Sequence, residues 1–300
     1  MRSSSKKNNN LIFPYFLLFL QPVFMASNLI VARGGVEFVP PVSLAFWRWT
    51  VVFLLLFPFF YKPILKKIKA FKGEFLKLFF LGLTGCGICG AFPFIAGQTT
   101  TVLNMAVIYT SSPIFIILLS NLIYKEKINL FQVLGLLLCL FGVFSIISKG
   151  ELSALLNLEF TAGDIWMLGA AISWALYSIY LLNWKSKFDL ITRFVLIAMF
   201  GSISLFPFYL FEEFQRQSTS FDLNFLFWVI FAAVSPAIIA FTLYAKVQKY
   251  LGASITGFTL YLFTVYGAFY GLVFFGETLE YFHLIGAFLV FIGVYLVKKN

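Results

Sequence analysis

The stretches "KEKINLFQVLGLLLCLFGV" at residues 125–143 and "GETLEYFHLIGAFLVFIGV" at residues 276–294 follow one pattern without a gap. Gly142 aligns with Gly293, and most other pairs exchange one apolar residue for another. The offset of 151 residues is about half of the 300-residue chain. A fixed offset of this length indicates an internal duplication. The two halves are therefore predicted to share one fold.

The composition places this duplicated chain in a lipid bilayer. It is 61% hydrophobic and 11% charged, with a mean hydropathy of +0.94. A soluble domain is closer to half apolar and a quarter charged. Several uncharged stretches of about 20 residues match the length of helix that a hydrocarbon core of about 30 Å requires. Since irregular backbone cannot face lipid, we expect an all-α, polytopic membrane protein.

Charged residues, prolines and glycines divide the chain into ten predicted transmembrane helices. The predicted spans are 11–32, 42–61, 75–97, 101–123, 130–148, 162–183, 190–210, 223–245, 252–275 and 281–297. Residues 1–10 then form a cytoplasmic tail, residues 11–148 contain the first five-helix repeat, and residues 162–297 contain the second. Because five is odd, the second repeat is expected to cross the membrane in the inverted orientation. Inverted repeats are typical of secondary transporters.

The distribution of basic residues predicts the orientation. Eighteen of the 22 Lys and Arg residues fall on the side of the N-terminus, three fall on the other side, and Arg48 lies within a span. Basic loops remain in the cytoplasm, so both termini are predicted to be cytoplasmic in an inner or plasma membrane. Anionic lipids attract such loops, which accounts for the net charge of +10 without a nucleic-acid partner. The expected partners are the bilayer and a small-molecule substrate, and the number of subunits stays open.

Several segments resemble EamA-type transporters of the drug/metabolite transporter superfamily. The similar segments are "MASNLIVARG", "PPVSLAFWRW", "SSPIFIILLSNLIYKE" and "GDIWMLGAAISWALYSIYLL", together with the two quoted repeats. The resemblance covers nearly the whole chain. It implies ten helices, cytoplasmic termini, a central cavity lined by both halves, and export or exchange of small metabolites, often amino acids, without ATP. The family usually repeats Pro113 in the second half, where this chain has Thr264, so the chain departs from the family pattern at this position.

Polar and aromatic side chains inside the spans are the candidates for lining such a cavity. Polar groups are costly in lipid and tend to face a cavity or a partner helix. The predicted lining residues are Gln21, Phe24, Asn28, Gln98, Thr101, Asn104, Ser111, Trp174, Tyr177, Ser178, Tyr244, Thr259, Tyr261 and Tyr266. The alternative is that these side chains only join helices, in a chain that is 20% aromatic.

The charged residues near the spans have two interpretations each. Arg48, about two turns into the second span, either binds a substrate carboxylate or reaches the interface beside its tryptophan neighbours. Glu126 and Glu277 are interpreted as structural groups that meet the positive ends of the following helices, with proton coupling as the alternative. No acid lies at mid-span, which favours a neutral, zwitterionic or aromatic substrate.

Two other classes of protein are weaker alternatives. A membrane-embedded enzyme would need a catalytic motif, and the sequence has neither H-E-x-x-H nor G-x-S-x-G and only one histidine. A channel-like or structural membrane protein remains compatible with the composition. Cys86 and Cys89 form a C-x-x-C inside an apolar segment and are expected to be small packed side chains. We therefore predict no catalytic residue, metal or cofactor.

Overall fold

The computed structural model describes residues 12–125, 130–147, 161–215, 217–256 and 259–298, and every regular element among them is helical. The helices are α1 (Ile12–Gly34), α2 (Pro41–Lys66), α3 (Ile68–Leu81), α4 (Cys89–Ala96), α5 (Val102–Thr110), α6 (Ser112–Tyr124), α7 (Leu130–Ile147), α8 (Ala162–Asn183), α9 (Leu190–Gln215), α10 (Leu223–Ala233), α11 (Ala240–Thr256), α12 (Thr259–Phe275) and α13 (Tyr281–Lys298). A short 3-10 helix, Gly35–Glu37, follows α1.

Seven helical segments are long and apolar enough to cross a membrane. They are Ile12–Glu37, Pro41–Lys66, Ile68–Ala96, Val102–Tyr124, Ala162–Asn183, Leu190–Gln215 and Leu223–Tyr244. Three shorter apolar helices accompany them, namely Val133–Gly142, Leu262–Phe275 and Tyr281–Gly293. A helix needs about 20 apolar residues to cross the hydrocarbon core. The expectation of an all-helical, multi-pass membrane protein is thereby confirmed.

Two of the predicted connections are helical in the structure. The helix α11 continues through "KVQKYLG", and α2 continues to Lys66, through the first half of "YKPILKKIKAFKGE". Both helices therefore extend beyond the ends of the predicted spans 42–61 and 223–245. Lysine ends an apolar stretch, but it is a good helix former. The backbone hydrogen bonds of these helices can therefore continue into the interfacial region after the apolar stretch has ended.

The third and eighth predicted spans each contain a π-helical segment, and the two lie at matching positions. Gly82–Ile88 connects α3 to α4, and Val234–Ile239 connects α10 to α11. Their last residues are 151 residues apart, the offset of the sequence repeat. A π-helical turn weakens the regular i to i−4 hydrogen bonding and is frequent at functional sites. The hydrophobic pattern had given no sign of these segments.

The fourth and ninth predicted spans differ from each other. In the first half, Ser111 separates α5 from α6, whose first turn contains a proline. In the second half, α12 is continuous through Thr264, whose hydroxyl bonds to the backbone oxygen of Leu260 at 3.3 Å. Proline removes a backbone donor and Thr does not, so the second helix does not break. Thr110 and Thr264 form a hydrogen bond between the two helices.

The glycines of the repeated stretch let two helices approach closely. Helix α7 packs along α13, and Gly142 is buried in their contact. A Cβ atom on Gly142 would lie 2.6 Å from the carbonyl oxygen of Gly286 and 2.8 Å from Cγ2 of Val290. Such a separation at residue 142 is possible only for glycine.

Gly142→Ala is expected to destabilise the protein by about 1–3 kcal/mol, because the new methyl group overlaps the backbone of α13. Gly73→Ala is the matched control, since a Cβ at Gly73 meets nothing within 4 Å. Alanine is favoured over glycine inside a helix by about 0.5–1 kcal/mol, so the control should be neutral or stabilising. Thermal unfolding of the purified variants in detergent measures both. Equal unfolding temperatures for the two variants would contradict the close approach.

Candidate functional site: a central cavity with a buried arginine

Arg48 lies in the second turn of α2 and is buried among groups from three helices. Its Nη1 donates to Oδ1 of Asn28 on α1 at 2.5 Å. The guanidinium lies 4.4 Å from the ring centroid of Trp49 and 5.0 Å from that of Phe94 on α4. Only 5% of the residue is exposed. Arg48 therefore does not extend to the interface, which was one of its two predicted positions.

The cost of burying this cation is offset by its neighbours. An arginine at the centre of a membrane helix costs roughly 2.5–3.5 kcal/mol on insertion scales. A desolvated cation–π contact contributes about 2 kcal/mol. A hydrogen bond to a charged group contributes about 1.5–3 kcal/mol. These groups can hold Arg48 in place, yet its Nε–H remains without a hydrogen-bond partner.

Arg48 is part of the wall of a cavity of about 50 Å³ between the two halves of the bundle. The lining residues are Met25, Asn28, Leu29, Arg48, Trp49, Gly85, Cys89, Pro93, Tyr109, Met167, Trp174, Pro236, Phe241 and Phe263. Both π-helical segments contribute, through Gly85 and Pro236. A cavity of this size has room for a few water molecules. A larger ligand therefore needs a rearrangement of the surrounding helices.

Two of the predicted lining residues, Asn28 and Trp174, meet at this cavity together with Arg48, and Cys89 of the C-x-x-C also lies in its wall. Tyr177 lies beside them, with its ring centroid 5.2 Å from that of Trp174. Gly85 leaves room for the Tyr177 ring, because a Cβ there would overlap it. The aromatic wall therefore depends on a glycine in the π-helical segment.

Other predicted lining residues pack between helices instead. Gln21 is buried and donates to the backbone oxygen of Ala240 at 3.4 Å, and Ser111 donates to Ile108 within its own turn. Phe24, Ser178, Tyr244 and Tyr266 are partly buried and are not among the lining residues. Thr259 is buried at the start of α12. The side chain of Tyr261 falls outside the described part of the chain.

Gln98 and Thr101 lie at the end of the bundle, where both side chains are exposed. The structure does not bring them to the cavity. Thr101 instead caps α5, since its Oγ1 accepts the backbone N–H of Asn104 at 3.1 Å. This is the usual role of threonine before a helix. The hydroxyl of Thr101 is thus explained by its role as the N-cap of α5.

Asn104 belongs to a buried polar cluster near the same end. Its Nδ2 donates to Thr100 at 3.3 Å and to the Asp164 carboxylate at 3.4 Å. Thr100 donates to the same carboxylate at 2.5 Å. His283 Nδ1 accepts the backbone N–H of Glu280, so its Nε2–H donates to Asn104 Oδ1 at 3.2 Å. The cluster joins the two halves rather than lining the cavity.

Two carboxylates at this end bind the starts of helices in the opposite half. Glu277 accepts the backbone N–H groups of Val102 at 2.7 Å and Leu103 at 3.0 Å. Glu212 on α9 accepts those of Val42 at 3.1 Å and Ser43 at 2.6 Å. A carboxylate stabilises the positive end of a helix. Glu277 therefore caps α5, whereas the sequence had associated it with the next helix; Glu126 lies outside the described residues.

Sequence reasoning missed Glu212, Asp164 and Thr100. Glu212 lies at the end of a long apolar stretch and Asp164 in the first turn of another, so each looked like an ordinary boundary residue. A boundary acid that is buried needs donors nearby, and backbone N–H groups at helix starts supply them. We call this region, where Glu212 and Glu277 cap α2 and α5, the Glu277 end.

The fold and these contacts define a multi-pass helical membrane protein with a cavity between two halves. The chain matches the EamA-like transporter family over residues 12–148 and again over residues 161–298, and it belongs to that family. The family resemblance read from the sequence is confirmed. Transporters are not a class of enzymes, and the family description therefore agrees with the expectation of a non-enzymatic protein.

Relatives of similar length are described as transporters. A protein of Archaeoglobus fulgidus called an uncharacterized transporter is 27% identical over 290 residues, which cover 95% of this chain and 97% of its own. The uncharacterized transporter YyaM of Bacillus subtilis is 23% identical over 93% of this chain and 92% of its own. One crystal structure superposes with a TM-score of 0.59 at 16% identity, covering 93% of this chain and 94% of its own, and supports the fold alone.

Glu277→Gln is expected to lower the free energy of unfolding by about 1–2 kcal/mol. The amide can present only one oxygen, so one backbone N–H at the start of α5 loses its acceptor. Glu37→Gln is the matched control, because Glu37 is an exposed carboxylate near the same end. Thermal unfolding gives the change in stability, and amide hydrogen exchange at Val102 and Leu103 locates it. Unchanged exchange at both amides would contradict the capping role.

Proposed function

We propose that this chain is a secondary transporter that moves small metabolites, such as amino acids, across an inner or plasma membrane by alternating access. The observation that carries the proposal is the central cavity. Residues of both halves line it, and it contains one buried cation beside aromatic and thioether side chains. Ligand sites between helices have this mixture of apolar walls and a few polar groups. The direction that we propose is export or facilitated exchange.

The proposed architecture is ten transmembrane helices in two inverted five-helix repeats. Each of the ten predicted spans overlaps a described helix. The matching π-helical segments support the repeat, and the excess of basic residues on one side supports cytoplasmic termini. Inverted repeats allow one structure to adopt two related shapes, each open to one side of the membrane.

The Glu277 end is the proposed gate on the side away from the termini. In the described structure Glu277 caps α5, Glu212 caps α2, and Arg33 donates to the Gly97 oxygen at 2.9 Å. These polar contacts can separate without disrupting the packing of α7 against α13. Alternating access requires that this end open when the opposite end closes.

Counterflow in proteoliposomes tests the proposed function. Vesicles are loaded with one unlabelled amino acid, nucleobase or amine at a time, and uptake of the same labelled compound is followed with and without a pH gradient. Transient accumulation above the outside concentration is expected for at least one class. A channel cannot produce that accumulation. Flux that is linear in concentration, without acceleration by internal substrate, would overturn the proposal in favour of a channel.

Trp174→Ala is expected to lower counterflow at subsaturating substrate by on the order of tenfold, because the aromatic wall of the cavity is removed. Asn28→Ala should have an effect in the same direction, because Asn28 lines the cavity and its loss removes the hydrogen-bond acceptor that holds Arg48 in place. Trp166→Ala is the control on the same helix, because Trp166 is 38% exposed and is not a lining residue. Equal counterflow by the Trp174 and Trp166 variants, at equal amounts of folded protein, would remove Trp174 from the site.

A further inference from the structure

Arg48 is a cation whose described partners are all uncharged. It has a neutral amide oxygen from Asn28 and the faces of Trp49 and Phe94. It is 5% exposed and forms part of the cavity wall, and its Nε–H has no acceptor. Since a guanidinium keeps its proton in a protein, the wall carries a positive charge that the described contacts leave uncompensated.

The buried and partly buried acids near the Glu277 end are engaged elsewhere. Glu277 and Glu212 accept backbone N–H groups of α5 and α2. The Asp164 carboxylate accepts the hydroxyl groups of Thr100 and Thr161 at 2.5 and 2.6 Å. Among the described lining residues there is no Asp and no Glu. The cavity thus offers a site for an anion and offers no carboxylate to a cation.

The rest of the wall suits an apolar group. Met25, Leu29 and Met167 contribute aliphatic or thioether surface, and Trp174, Phe241 and Phe263 contribute rings. Thioethers and aromatic rings adapt to ligands of varied shape. A ligand that satisfies both parts of the wall has one anionic group and one aliphatic or aromatic body.

We propose that the substrate is a small organic carboxylate with an apolar body, whose carboxylate binds Arg48. This inference rests on the proposed transport function and narrows its substrate class. Carboxylates are the planar partners that guanidinium groups bind with two parallel hydrogen bonds. An amine of the same shape would place a second cation beside Arg48. An amino acid could bind Arg48 through its carboxylate, but its ammonium group would find no Asp or Glu in the cavity wall. It should therefore bind less tightly than the corresponding acid without the amino group.

Binding of matched ligands to the purified full-length protein at pH 7.5 tests the proposal. One series is 3-phenylpropionate, 3-phenylpropylamine, 3-phenylpropanol and phenylalanine, and a second is butyrate, butylamine and butanol. Calorimetry should show that the acid of at least one series binds tenfold or more tightly than its amine and its alcohol. Equal or tighter binding of the amine or the alcohol in both series, or no binding of either acid, would overturn the proposal.

Variants of Arg48 locate the charge that is responsible. Arg48→Gln should reduce affinity for the acid by tenfold or more and leave affinity for the alcohol within about twofold. Arg48→Lys should retain part of the affinity for the acid. Lys66→Gln removes the same charge from an exposed position of α2 and should bind as the wild type does. If Arg48→Gln does not fold, two measurements still decide the result. They are the ratio of the affinities of the wild type for acid and amine, and the affinity of Arg48→Lys for the acid.

Counterflow of the same ligands separates this inference from the proposed function. Transport of amines or alcohols in preference to acids would leave the transporter intact and overturn the carboxylate specificity. Arg48-dependent binding of an acid, with no counterflow of any ligand, would support the anion site and contradict the transport function. Acid counterflow that Arg48→Gln reduces would support both.

Discussion

The burial of one guanidinium in an apolar bundle constrains the rest of the central site. A cation there requires an acceptor and polarisable surface within a few ångströms, and α1 and α4 must therefore approach α2 closely enough to bring Asn28 and Phe94 to Arg48. Gly90 on α4 allows this approach, because a Cβ atom there would lie 2.5 Å from Nε1 of Trp49. The buried position of Arg48 thus depends on both Gly90 and the aromatic rings that surround the guanidinium.

A second constraint acts at the Glu277 end, where helix starts expose backbone N–H groups with no partner inside their own helix. Carboxylates from the opposite half supply the acceptors. Glu212 and Glu277 of the second half hold α2 and α5 of the first half. The two halves are therefore joined at this end by these polar contacts and by the packing of Trp228 against Gly34, Gly35 and Phe38, and along α7 and α13 by glycine-mediated packing. The hydrogen bonds of Glu212 and Glu277 can break while the packing of α7 against α13 is retained.

Much of the fold followed from composition and spacing. Apolar length predicted where helices lie, and the aligned glycines indicated the internal duplication. The site was less accessible to sequence reasoning. Sequence reasoning singled out Asn28, Arg48 and Trp174, which line the cavity, because polar and aromatic groups inside a span tend to face a cavity. It could not distinguish Thr101 as a cap from Thr101 as a lining residue, because both roles favour a hydroxyl beside an apolar run. It also could not reveal the π-helical segments or the pairing of Glu277 with α5, which depend on tertiary contacts.

In the proposed mechanism the Glu277 end opens and closes during transport. The most direct test places cysteines at Thr101 and Thr278, both exposed beside the contact between Glu277 and Val102, after the native cysteines are replaced. A short bifunctional thiol reagent then joins α5 to the segment before α13. The account predicts that the joined protein loses counterflow and that a cleavable reagent restores it on reduction, while each single-cysteine variant keeps its activity. Full counterflow with this end covalently closed would contradict the account.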